Sequence, residues 1–155
     1  MGFSQALLGT CGNCCRWAAL PVRLVLGIIF VAHGAQKVFG WFGGPGWSAT
    51  IDGFAQMGLP AAVTVLVMLV ELLGGLFLIL GFLTRLDALG IAAVMIGAIV
   101  TVHGKNGFFM NGAGGPGIEY CLALVGLCGA LLIMGGGPIS VDEALVGKPE
   151  PPAAA

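Results

Sequence analysis

The stretch Pro60-Ala-Ala-Val-Thr-Val-Leu-Val-Met-Leu-Val-Glu71-Leu-Leu-Gly-Gly-Leu-Phe-Leu-Ile-Leu-Gly-Phe-Leu83 holds one charged residue, Glu71, in 24 positions. Its apolar residues run on continuously instead of alternating with polar ones, so it reads as helix and not as a half-buried strand. At roughly 1.5 Å per residue, a helix of this length covers the roughly 30 Å hydrocarbon core of a bilayer. Pro60 opens the segment, where a missing N–H leaves no helical hydrogen bond unmade. The segment is read as a transmembrane helix.

Working outward from it, three further segments share this character: about Ala18–Phe39 with Pro21 near its start, about Leu86–His103, and about Gly117–Met134. The connection Thr84-Arg85 is so short that the second and third spans must form a hairpin. Gly40–Gly58 contains Trp41, Phe42, Trp47 and Phe54 and is too polar to span, yet too apolar for an ordinary loop. Tryptophan favours the membrane–water boundary, so Trp47–Met57 is read as a short helix lying on the surface. The expected fold is an all-α membrane protein: a four-transmembrane-helix bundle with a short interfacial helix between the first and second spans. Residues 1–17 form an N-terminal cytoplasmic segment with a cysteine cluster, 18–136 the membrane domain, and 137–155 a polar, partly disordered tail.

Composition agrees. Of 155 residues, 58% are hydrophobic and 8% charged, against about 25% charged in soluble domains. The formal net charge is -1 and no basic cluster is present, which excludes a nucleic-acid partner. Residues 1–15 contain no Lys or Arg, so the basic region that opens a signal peptide is missing. Arg16, Arg23, Arg85 and Lys148 fall on one side of the spans, Lys37 and Lys105 on the other. This balance puts both termini in the cytoplasm.

The polar residues at membrane depth are the candidate site. His33, Gln36 and Lys37 share one face of the first helix at i, i+3 and i+4. His103 and Lys105 end the third span at the same outer level, and Glu119 and Tyr120 begin the fourth there. Glu71 lies near the middle of the second helix, with Gly74 and Gly75 beyond it on a face where a neighbouring backbone can come close. Helical rise suggests that Glu71 reaches His33 more readily than Lys37. An intramembrane carboxylate is a functional-site candidate by default, and Glu71 with His33 is read as a proton-handling or ligand-anchoring pair. A buried contact that merely fixes helix register is the competing reading. Gln36, Lys37, His103 and Glu119 are candidate substrate-binding residues. His33 and His103 are also the two histidines that a haem would require; local hydrogen bonding is the preferred reading for them, and for Lys105 and Glu119 a solvated ion pair.

Cys11-x-x-Cys14-Cys15 has the spacing of a redox dithiol or half a metal site. No second half-site follows, so no complete metal site is assigned. Cys121 and Cys128, seven apart on one face, are read as packing.

Arg23-Leu24 with Gly27, His33-Gly34-Ala35-Gln36-Lys37, and Gly40-Trp41-Phe42-Gly43-Gly44 together resemble the DoxX family. So do Val70-Glu71-Leu72-Leu73-Gly74-Gly75, Gly81-Phe82-Leu83-Thr84-Arg85-Leu86, and the stretch His103 to Tyr120 with Asn106-Gly107-Phe108-Phe109. The resemblance covers about Leu20–Glu143 and leaves out the cysteine cluster and the Pro-rich tail. It implies four helices in a bacterial inner membrane and an association with quinone-linked or thiol redox assemblies.

Two functions follow as expectations. The first is an integral membrane subunit of a quinone-linked redox assembly, an oxidoreductase component with a polar pocket in the outer half of the bundle. The alternative is a non-catalytic scaffold that binds larger membrane partners or self-associates. A small-solute transporter is weaker, since the halves show no clear internal repeat.

Overall fold

The computed structural model describes residues 14–111 and 114–146, which are helical throughout apart from short connections. Helix α1 spans Cys14–Phe39. A 3₁₀ turn at Trp41–Gly43 leads to α2, Gly46–Gln56. Helix α3 runs over Ala61–Leu80, α4 over Thr84–Asn106 and α5 over Glu119–Met134, with a last short helix α6 at Val141–Val146. Helices α1, α3 and α4 are long and apolar enough to cross a membrane. Helix α5 is equally apolar but has 16 residues, about 24 Å of rise. The helix expected over Trp47–Met57 is present as α2, beginning one residue earlier.

Pro21 departs from expectation. Helix α1 begins at Cys14, so the proline lies inside it. The charge of Arg16 marks the edge of the apolar run without ending the helix, and Arg16 pairs with Glu143 at 2.8 Å. Membrane helices tolerate an internal proline when neighbours satisfy the freed carbonyl.

Helix α1 packs on α3 and α5, and α5 packs most extensively on α4. The α1–α3 crossing is backbone against backbone. A Cβ on Gly75 would stand 2.7 Å from Val31 N, and one on Gly34 2.6 Å from Leu72 N. Gly74 faces the other way, toward Ile91 and Asp87 of α4. The core between the helices holds Leu26, Phe30, Leu78, Ile91, Cys128 and Leu131. Ile28, Leu86, Val100 and Ile133 point outward and are exposed, as lipid-facing residues are.

The tight hairpin between α3 and α4 is closed by left-handed backbone at Gly81 and Leu83. There α3 and α4 touch through residues from Val70 onward, while Ala61–Leu69 draws its contacts from α1 and α2. The two helices therefore diverge away from the hairpin and leave a cleft between them.

Candidate functional site

The cleft opens into a cavity of about 790 Å³. Val63, Leu66 and Val70 of α3 form one apolar wall, and Gly90, Ala93 and Gly97 of α4 form the other. The small α4 residues are what make it wide: a Cβ on Gly97 would meet nothing within 4 Å. From Gly90 to His103 the α4 wall covers about 20 Å of helical rise. Phe54 of α2 and Met57 just beyond it also line the cavity.

Four of the six candidate residues line this cavity: His33, Lys37, Glu71 and His103. Glu71 is buried at 3% exposure, and the Lys37 ammonium donates to its Oε2. The partner is thus Lys37, not His33 as helical rise alone suggested. The cause is the direction in which side chains lean. Each Cα–Cβ bond tilts toward the N-terminus of its own helix. Lys37, near the C-terminus of α1, therefore leans into the bundle, and Glu71 of the antiparallel α3 leans back to meet it. The flexible four-carbon lysine stem covers what remains. His33 is exposed at the cavity wall and makes no hydrogen bond among the described residues.

Gln36 and Glu119 are placed elsewhere. Gln36 lies beneath Gly44, whose Cβ would stand 2.5 Å from the Gln36 carbonyl oxygen. Glu119 accepts a hydrogen bond from the Met110 amide at 2.6 Å and does not pair with Lys105. A carboxylate at the first turn of α5 is well used holding a neighbouring backbone N–H.

The loop before α5 is tied back on itself. Gly117 N donates to Phe109 O at 3.1 Å, Ile118 N to Gly107 O at 3.1 Å, and Glu119 N to Phe108 O at 3.0 Å. A Cβ on Gly117 would stand 2.6 Å from three carbonyl oxygens, so only glycine fits. This holds the Pro116 carbonyl 2.8 Å from His103 Nδ1 and 3.0 Å from Asn106 Nδ2. His103 thus makes the local bond expected of it.

Two features were not legible beforehand. Glu71 and His103 each lie in a π-helical segment, Val70–Gly74 and Ile99–His103. Such wider turns re-aim side chains and recur at functional sites. Arg23, used above to orient the chain and within the family resemblance, is 1% exposed and donates to the carbonyls of Pro138 and Ile139. Asp142 accepts from the amides of Leu83 at 2.8 Å and Thr84 at 2.9 Å, at the start of α4. Residues 138–146 are thereby docked on the hairpin end of the bundle. Cys121 and Cys128 are buried free thiols in the core. The Cys11–Cys15 cluster lies outside the described residues, apart from the backbone of Cys14 and Cys15 in the first turn of α1.

Apolar helices joined by a tight hairpin, with a buried ion pair at a cleft wall, define an integral membrane protein of the small helix-bundle class. The DoxX family model matches residues 18–104, and the chain belongs to the DoxX family. It is 37% identical over 92 residues to the Bacillus subtilis protein named "Putative oxidoreductase CatD", covering 59% of this chain and 64% of that one. This chain therefore spans under two thirds of that relative's length. It is 31% identical over 126 residues to "Inner membrane protein YqjF" of Escherichia coli, covering 81% of this chain and 90% of that one. No solved structure matches it.

Proposed function

We propose that this protein is a bacterial inner-membrane subunit of a quinone-linked redox assembly, and that its cleft receives the lipophilic redox molecule. In this reading α5 is the fourth span, α2 lies along the membrane surface, and both termini face the cytoplasm. The observation that carries it is a long apolar cleft with an ion pair, Lys37–Glu71, buried at its wall. A quinone has this division: an isoprenoid tail suited to Val and Leu walls, and a headgroup whose oxygens need hydrogen-bonding partners. Lys37 and His33 supply donors, and Glu71 and His33 exchange protons with the headgroup. The name of the Bacillus relative supports the redox part of the reading, and that of the Escherichia relative the membrane.

The test is equilibrium binding of an alkyl quinone to protein purified in mild detergent. Gly97→Leu fills the cleft from a position with free space, so it abolishes binding while the fold persists. Unchanged binding in Gly97→Leu would sink the cleft as the site; unchanged binding in Glu71→Gln would remove the carboxylate from it.

A second reading, the non-catalytic scaffold, is favoured by the exposed aromatics Trp41, Phe42 and Phe109 and by Gly126, whose Cβ position is open. Stoichiometric protein partners co-purifying without any bound small molecule would favour it.

A further inference from the structure

The Pro116 carbonyl is an acceptor only, so the 2.8 Å contact with His103 requires that Nδ1 carry the hydrogen. The Asn106 amide, 3.0 Å away, takes up the second lone-pair direction of the same oxygen. The carbonyl is thus fully used, and the three backbone bonds around Gly117 hold it in place. With Nδ1 protonated, the neutral imidazole keeps its lone pair on Nε2. His103 lines the cavity, and no group among the described residues bonds to Nε2. His103 ends the π-helical turn Ile99–His103 and lines the same cavity as Lys37 and His33.

The cleft therefore carries two unlike hydrogen-bonding groups. The Lys37 ammonium is a donor, already shared with Glu71. His103 Nε2 is an acceptor. A ligand that satisfies Nε2 must bring an O–H or N–H of its own. We infer that His103 Nε2 accepts a hydrogen bond from a ring hydroxyl, so that the cleft selects a lipophilic phenol or hydroquinone over the same molecule without that hydroxyl hydrogen. His103 is then the specificity-determining residue, and Pro116 and Asn106 are positioning residues that hold its tautomer. This rests on the cleft being the binding site, as proposed above.

The experiment compares an alkyl hydroquinone with its dimethyl ether, which keeps ring, tail and oxygens but loses both hydroxyl hydrogens. Binding is measured to the full chain in mild detergent. The wild type should prefer the hydroquinone by about five- to tenfold, the worth of one neutral hydrogen bond. His103→Phe, which keeps a flat ring without Nε2, should erase that preference. Nitrogen-15 spectra of histidine-labelled wild type at roughly pH 8, above the ordinary imidazole range, should show Nδ1 protonated and Nε2 bare. That measurement stands even if the variant does not fold. A protonated Nε2, or equal binding of hydroquinone and ether by wild type, overturns this inference and leaves the cleft as a site. Failure of wild type to bind hydroquinone, ether and quinone alike overturns both.

Discussion

Lys37 and Glu71 show how one residue pair sets the character of the site. An unpaired carboxylate held away from water costs several kcal/mol, and removing one partner of a buried pair leaves that cost uncompensated. Lys37→Met should therefore destabilise the protein by about 3 kcal/mol, read as a lowered unfolding midpoint in detergent. Adding Glu71→Gln to that variant should recover much of the loss, because the stranded charge is gone. A double-mutant cycle reports the coupling; additive losses would show that the two side chains do not act as a pair. The sequence marked Glu71 as the residue to explain, since a lone acid among 24 positions has few innocent readings. It did not identify the partner. Helical rise ranks residues by the height of their Cα atoms, and a lysine on one antiparallel helix and a glutamate on the next can meet well away from those heights.

At the scale of elements, the α1–α3 contact depends on the absence of side chains. Gly34→Val or Gly75→Val drives a β-branched group into the opposite backbone, 2.6–2.7 Å from where its Cβ would lie. Each should cost about 2 kcal/mol or prevent folding, as overpacking does. Gly126→Ala, made in open space on α5, should leave the unfolding midpoint unchanged. Equal effects at all three positions would mean that helix propensity, not the crossing, decides. The spans themselves were legible because long runs of Leu, Val and Ile leave lipid as the one workable solvent. Helix ends were less so: the apolar run that marks the first span begins at about Ala18, yet α1 begins at Cys14. The π-helical turns at Glu71 and His103 left no trace in composition, since one extra residue in a turn disturbs no hydrophobic run. The cleft was equally hidden, because it arises where α3 and α4 part company, a matter of packing and not of either helix alone.

Across the whole molecule, residues 138–146 close the hairpin end of the bundle. Residues 138–146 bring Asp142 to the amides that open α4, Glu143 to Arg16, and two carbonyls to Arg23. Asp142→Ala should cost about 1–2 kcal/mol by leaving those amides uncapped, and should speed proteolysis near Val141–Val146; a protease pattern identical to wild type would remove the docking role. The interaction is long-range in sequence: 115 residues separate Arg23 from Pro138. This has a consequence for biogenesis. During synthesis the first span enters the membrane long before Nη2 of Arg23 can meet the carbonyls of Pro138 and Ile139. Until the last stretch emerges, Arg23 must be served by water or by the insertion machinery. A nascent chain interrupted ahead of Pro138 would carry that unmet guanidinium permanently, a built-in mark of incompleteness on which membrane quality control can act.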